Sequence, residues 1–388
     1  MTAVRLDDLC DIQSGGTPPR GNADSFGGDI PWVKISDIEA SDGLITSTEE
    51  TISEIGLKAI RGRLFPKGTL LFAIYGSVGK SAFAGTDLSA NQAVLGIQVR
   101  SYDSLSPRYL YHWLQSRQKM FEADAAGIAQ KNLSAGYVRS LKIPLPPLNE
   151  QIRIAAILDQ AEDLRRKRRR ALDRLNQLGQ AIFTEMFGGS ESDTSVFEYL
   201  EDIQSGKNLI GVDDGKGSGF RVLKISAVSR NGFRADETKP LPSDYVPPPS
   251  HIVKDGDLLF SRANTTQLVG IPCIADGVRE NVALPDKLWR LVPSPTKAVS
   301  AFICYALLSQ SARQQIEKMC SGTSGSMQNI SMQKFKSIRV PKASMDQQIA
   351  FRRSIVLIDL AKRDLKACRT RADALFQVLQ HRAFCGEL

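Results

Sequence analysis

The sequence predicts an α+β chain: two homologous, mostly-β globular domains joined by two long antiparallel helices that form a coiled coil, a dumbbell with a pseudo-two-fold axis. Three observations predict it. Short segments recur in the same order with offsets of about 188–197. Each copy opens with β-branched and aromatic runs punctuated by Gly and Pro. Each closes with a long apolar pattern at spacings of three and four.

The repeat comes first, because it sets the domain count. Asp11-Ile12-Gln13-Ser14-Gly15 recurs as Asp202-Ile203-Gln204-Ser205-Gly206, and Val33-Lys34-Ile35-Ser36 as Leu223-Lys224-Ile225-Ser226. Lys131-Asn132-Leu133-Ser134 returns as Gln328-Asn329-Ile330-Ser331, and Glu150-Gln151-Ile152 as Gln347-Gln348-Ile349. A period this long indicates two homologous domains, not a solenoid. The boundaries follow as 1–146, 147–188, 189–343 and 344–388.

Within each copy, runs such as 30–35, 69–75, 93–99, 257–261 and 288–292 read as short, mostly antiparallel strands. Residues 109–123 and 300–319 read as helical patches. The first long helix runs from an Asn149 N-cap to Phe187, without proline and with Gly179 as its one glycine. Its seam is Ile154, Ile157, Ala161, Leu164, Ala171, Leu175, Leu178 and Ile182. The second helix, about Met345 to Phe384, carries Phe351, Ser354, Ile358, Ala361, Leu365, Cys368, Ala372, Leu375 and Leu379. Two ordinary core helices are the plainer reading. The length and the charge of the other faces favour the coiled coil. The second domain is entered from the end of helix one and left into the start of helix two, so paired helices must be antiparallel. About 36 helical residues span about 54 Å, or roughly 15 base pairs.

Composition narrows the function. The 388 residues carry 50 Lys+Arg against 42 Asp+Glu, a net charge of +8, which favours an anionic partner and nucleic acid first. Asp7, Asp8 and Asp11 stand where a signal peptide would need apolar residues. The longest apolar run, 301–308, is far too short for a membrane span. Six scattered cysteines without a C-x-x-C pair read as reduced thiols in a cytoplasmic protein. Three dispersed histidines speak against an imidazole-rich metal centre.

Catalytic motifs are missing. Gly76-Ser77-Val78-Gly79-Lys80-Ser81 ends like a phosphate loop, but Ile74 occupies the position of the required first glycine. A Gly-rich turn between strands is the plainer reading; a turn that brings Ser77 and Lys80 to a DNA phosphate is the other. No nucleophile, base and orienter set is present, so the chain reads as a non-enzyme. The run Arg165–Arg170 is either a solvated face paired to Glu162, Asp163 and Asp173 or a dock for phosphate or acidic partners. Trp32, Trp113 and Trp289 read as core.

These segments together resemble the specificity subunit of bacterial type I restriction–modification enzymes. The telling stretches are Ser14–Pro18, Ile30–Ile38, Gly76–Lys80 and Ile143–Gln151, the last a Pro-rich exit into Glu-Gln-Ile and a long helix. The second copy lacks the Pro-Pro pair at its exit, Val340–Gln348. The resemblance implies two target-recognition domains, each reading one half of a bipartite double-stranded DNA sequence. It implies that the paired helices set the spacing and seat two DNA-methyltransferase subunits, which bind S-adenosylmethionine and methylate adenine N6. In family members two motor/nuclease subunits join, using ATP and Mg²⁺. No cofactor and no metal is expected on this chain itself.

Base edges in the major groove are read by Arg, Asn and Gln, and phosphates by Lys and hydroxyls. The DNA-binding candidates are therefore Arg20, Lys34, Ser77, Lys80, Asn91, Gln92, Lys131 and Asn132 in the first domain. In the second they are Lys207, Lys224, Arg262, Asn264, Thr266, Lys287, Gln328 and Asn329. Lys34/Lys224 and Asn132/Asn329 recur, which suits shared positioning; non-shared Arg262 and Asn264 suit base reading. The helix candidates for pairing and partner binding are Ile154, Ile157, Leu164, Leu175, Leu178, Ile358, Leu365, Leu375 and Leu379. The competing function is a coiled-coil scaffold that bridges proteins and touches no bases.

Overall fold

The computed structural model describes residues 2–126, 132–189, 193–207, 219–230, 232–242, 244–321 and 328–388. They form two compact units: Met1–Arg169 with Ala367–Leu388, and Arg170–Lys366. The units cut across the linear division into domain, helix, domain, helix. The first long helix is Leu148–Phe187 and the second is Met345–Cys385, so each unit takes part of both. The helix limits fall within a residue or so of those expected, because the prolines before Leu148 and the Ser344 hydroxyl, which accepts from Gln347 N at 3.3 Å, define the starts.

In the first unit a five-stranded sheet runs in the order Cys10–Ser14, Val94–Val99, Leu70–Ala73, Ser81–Ala84, Leu44–Ile45. All pairs are antiparallel except the last. A second sheet pairs Phe26–Val33 with Glu50–Ile52 antiparallel and with Ser89–Ala90 parallel. The second unit repeats this plan. Its main sheet is Leu200–Ser205, Leu288–Pro293, Leu258–Ser261, Pro272–Ile274, all antiparallel. Its smaller sheet pairs Arg221–Leu223 with Thr238–Pro240 antiparallel and with Val282–Ala283 parallel. Equivalent strands occupy equivalent places, down to the single parallel pair of the smaller sheet. The duplication read from short motifs is a duplication of topology.

The recurring Ser-Gly explains itself in both copies. A Cβ on Gly15 would lie 2.2 Å from the Ala90 carbonyl oxygen, and one on Gly206 would lie 1.6 Å from that of Leu284. Only glycine lets the first strand of each copy pass that close to the neighbouring loop. Each helical patch is two helices, Pro107–Ser116 and Gln118–Ala126 in one unit, Ser300–Leu308 and Gln310–Met319 in the other. In the second, Ser309 caps the new start, accepting from Ala312 N at 3.3 Å. All three tryptophans are buried, as expected.

Each globular part is entered and left side by side. Ala3–Arg5 pairs with the exit strand Lys142–Pro144, and Asp193–Ser195 pairs with Arg339–Pro341. Just beyond each exit sits a fully buried glutamine, Gln151 or Gln348. Gln151 Nε2 donates to the carbonyls of Ser104 and Pro146, both at 2.9 Å, and Oε1 accepts from Ser106 N at 2.9 Å. Gln348 Nε2 donates to the carbonyls of Lys297 (3.0 Å) and Ala343 (3.1 Å), and Oε1 accepts from Val299 N at 3.1 Å. The same amide locks each helix start to its own globular part.

In the first unit the helices run antiparallel. Arg153 Nη2 donates to the Leu388 carbonyl at 2.6 Å, and Arg165 pairs with Asp373 at 2.6 Å. The buried stripe differs from the expected seam. Ile154 and Ile358 are buried and Ile157, Leu175, Leu365 and Leu379 are half-buried, but Leu164, Leu178 and Leu375 are exposed. Burial falls instead on Ala155, Leu158, Leu172, Phe183 and Phe187, and on Phe351, Ile355, Phe376 and Ala383. The reason is that each helix end packs on a globular core as well as on its partner. Ala155 and Leu158 join the Tyr109 and Trp113 cluster, while Phe183 and Phe187 meet Phe302 and Phe351. A helix held this way follows its own 3.6-residue period rather than a strict heptad.

Gln348→Leu should lower stability by at least about 1–3 kcal/mol, because it strands two carbonyls and one amide in a dry site. Urea unfolding of the full chain measures it; an unchanged midpoint would show that the amide is not a lock.

Candidate nucleic-acid interface

In the first unit the strand Leu70–Ala73 leaves the sheet into the turn 74–80. Three backbone links stitch this turn to its surroundings. Ile74 N donates to the Ala93 carbonyl and Leu133 N to the Ile74 carbonyl, both at 2.9 Å, and Tyr75 bridges Asn132. Asn91 N donates to the Val33 carbonyl at 2.9 Å, while its Oδ1 accepts from Ala93 N at 3.1 Å. One end of the sheet therefore gathers Lys34, Ser77, Lys80, Asn91, Gln92 and Asn132. Lys131 lies outside the described residues.

Their side chains are not equally available. Lys34 Nζ pairs with Glu49 at 2.7 Å and Glu50 at 3.0 Å, and those carboxylates hold the ammonium above its ordinary pKa. Arg20 shares Glu50 (2.9 Å) and stacks over Phe26 and Trp32, with the guanidinium carbon 4.8 and 5.2 Å from the ring centres. Ser77 donates to Glu39, and Gln92 accepts from Thr17. Lys80 is exposed and has no ion pair among the described residues. The turn itself runs strand to strand, with Gly76 and Gly79 at positive φ and Gly79 N donating to the Ala73 carbonyl at 3.0 Å. No helix begins there, so the geometry of a phosphate-wrapping loop is not formed.

The second unit builds the same sheet end with a longer turn. Arg262 N donates to the Lys287 carbonyl (3.1 Å) and Ile330 N to the Arg262 carbonyl (3.0 Å). Ala263–Asn264 pairs with Gln328–Asn329, the counterpart of the Tyr75–Asn132 bridge. Arg262 is half-buried, its Nε donating to the Asp286 carbonyl at 2.8 Å and its guanidinium 5.8 Å from the Trp289 ring centre. Asn264 Nδ2 donates to Ser261 Oγ at 3.2 Å. Thr266 is exposed on the turn. Lys207 bridges Pro285 and lies 5.9 Å from the Tyr245 ring centre; Lys224 faces Glu237 at 3.6 Å. Lys34 and Lys224 each stand at the N-cap of a short helical turn, which fits a shared scaffold role.

The basic run of the first helix is largely paired. Arg165 meets Asp373 and lies 4.5 Å from the Phe376 ring centre; Lys167 meets Asp163 at 2.8 Å; Arg169 meets Asp42 at 2.9 Å. Arg166 Nη1 donates to the Asp42 carbonyl at 3.1 Å. Of the expected acids Glu162, Asp163 and Asp173, Asp163 is the one that pairs with the run among the described residues; Asp42 and Asp373 come from elsewhere in the chain. Sequence reasoning missed them because neither is near the run in sequence. It also left Gln151 and Gln348 without a role, although their recurrence was visible.

One group of metal-type donors exists among the described residues: His112, Asp159 and Glu162. Asp159 accepts from His112 Nε2 at 2.7 Å and from both arms of Arg108. A guanidinium already fills the place a cation would take, and Glu162 accepts from Tyr111 at 3.2 Å. Burial pushes the Asp159 carboxyl up, but the bonds from His112 and Arg108 outweigh it and hold the pKa at about 2.

Residues 1–174 match the family model for the type I restriction modification DNA specificity domain. The chain is similar to type I restriction enzyme specificity subunits. It is 26% identical over 186 residues to the MjaIX specificity subunit of Methanocaldococcus jannaschii, covering 47% of this chain and 43% of that one. The MjaVIII specificity subunit of the same organism is 24% identical over 271 residues, 65% of this chain and 63% of the relative. These two matches thus span less than two thirds of the relatives' length. The match to the EcoKI specificity subunit of Escherichia coli K12 is longer, 24% identical over 388 residues, covering 92% and 82%. A crystal structure of a type I S subunit from M. genitalium shares the fold, with a TM-score of 0.55 and 14% identity over 99% of this chain and 96% of that one. No helix among the described residues is long and apolar enough to cross a membrane.

Asp159→Asn should lower the urea midpoint at neutral pH. A carboxyl with a depressed folded pKa adds stability above its unfolded value, and that share is lost as pH falls through the folded one. The gap between variant and parent should therefore close from about pH 3.8 down to about 2; a gap constant across that window would contradict the pairing.

Proposed function

We propose that this chain is the DNA-reading, non-catalytic subunit of a type I restriction–modification assembly. Each globular part reads one half of a bipartite duplex, and the two long helices set the distance between half-sites. One observation carries the reading: two units whose main sheets share four strands in the same order each present an amide- and cation-bearing sheet end, and an equivalent glutamine locks each to its helix. A duplicated reader on a rod fits a target with two halves and a fixed gap.

The helices also offer seats for other subunits. Val356, Leu357 and Leu360 on one stretch, and Leu375 and Val378 on another, are exposed apolar residues at helical spacing. Two DNA-methyltransferase subunits are the proposed occupants, supplying S-adenosylmethionine chemistry at adenine N6. Motor and nuclease subunits using ATP and Mg²⁺ would complete a restricting complex. The setting is the bacterial or archaeal cytoplasm.

Methylation mapping of the host genome should yield one bipartite motif with a fixed spacer. Inserting seven residues into both long helices, in register, should then lengthen the spacer and leave the half-site bases unchanged. New half-site bases, or binding that barely responds to salt, would favour a protein-bridging scaffold instead.

A further inference from the structure

The loop after the shared Lys-Ile-Ser has opposite charge in the two units. In the first, residues 37–44 carry Asp37, Glu39 and Asp42 and no cation. That loop is occupied by its own chain: Asp37 accepts from Lys34 N at 2.7 Å, Glu39 from Ser77, and Asp42 from Arg166 and Arg169. In the second, residues 227–234 carry Arg230 and Arg234 and no carboxylate. Both arginines are exposed, and among the described residues neither has a carboxylate within ion-pair distance. Arg230 Nη2 makes one long bond, 3.3 Å to the Gln267 carbonyl.

These residues border a cleft of about 520 Å³, with Ser226, Ser229 and Gln267 on its walls. A third arginine lies beneath the Gln267 turn. Arg313 is 12% exposed; its Nη1 donates to the Val269 carbonyl at 2.9 Å. Its Nε and Nη2 make no hydrogen bond, and Glu317 stands 4.0 Å away. Burial and the neighbouring Arg230 charge push the Arg313 pKa down. Arg230 and Arg234 line the cleft with Arg313 close behind. The Ser226 hydroxyl already donates to Glu237 (2.7 Å) and Ser229 to the Gly232 carbonyl (2.8 Å), and Glu237 is shared with Lys224. The unspent donors are therefore guanidiniums in excess of nearby acid, which suits an oxyanion.

We propose that this cleft holds a backbone phosphate of the duplex read by the second unit. The proposal rests on the DNA-reading function above and adds residues outside the sheet-end candidates. The first unit cannot do the same at the equivalent loop, because that loop is acidic and already clasped to its own helix. The two readers therefore grip DNA differently: one half-site is held with an extra salt-sensitive contact.

Fluorescence anisotropy of the full chain, assembled with its methyltransferase subunits, tests this on two duplexes: one bearing the mapped motif and one with the second half-site scrambled. The parent's binding of the motif comes first; no binding there overturns the DNA-reading function itself, and this proposal with it. For Arg230→Ala/Arg234→Ala, affinity should fall by a similar factor on both duplexes, and the log–log salt slope should become shallower by about 1. Arg230→Lys/Arg234→Lys should keep most of the slope, since a phosphate accepts a point charge. An unchanged slope overturns the proposal. So does a loss confined to the motif duplex that lysine does not restore, which would mark base reading instead.

Discussion

A buried carboxamide at the root of each long helix is the constraint on which the rest depends. Gln151 and Gln348 are fully enclosed, and each makes two donor bonds and one acceptor bond to backbone groups of its own globular part. The amide thereby satisfies its own buried polar atoms and three backbone groups at once. A helix fixed only by apolar contacts could slide or roll by part of a turn at modest cost. A helix fixed by three directional bonds at its first turn cannot. The orientation of each globular part on its own long helix is thereby set within the chain itself.

The hexabasic run is accounted for by the same logic of local satisfaction. Residues that look like a nucleic-acid patch in sequence are, in the first unit, the counter-charges of Asp42, Asp163 and Asp373. Exposed pairs of this kind add little stability individually. Their effect is positional: they draw the acidic loop of the first domain onto its helix. The equivalent loop of the second unit carries Arg230 and Arg234 instead, both exposed.

The topology was largely legible in the sequence because recurrence reports it directly: copied motifs fell on equivalent strands, turns and caps. The helix limits were legible because proline and a capping hydroxyl act locally. What stayed hidden depends on residues far apart. Asp42 approaches Arg169 only once the first domain is folded, and nothing in the run names its partner. The heptad seam failed at Leu164, Leu178 and Leu375 because period analysis assumes one neighbouring surface, whereas each helix half meets a globular core and a second helix together. Several of the DNA-binding candidates lie at one sheet end in each unit, where Lys34 and Arg262 are engaged internally.

That failed seam carries information of its own. Leu164, Leu178 and Leu375 keep helical spacing with buried neighbours, yet the intramolecular packing leaves them out, and Leu357 and Leu360 are likewise uncovered. Scattered exposed leucines are ordinary on a soluble surface. Several along helices that already bury one stripe mean a broader apolar band than internal packing needs. Such a band leaves apolar surface in water unless something covers it. The exposed leucines are therefore where the proposed partner subunits would find apolar surface that internal packing does not use.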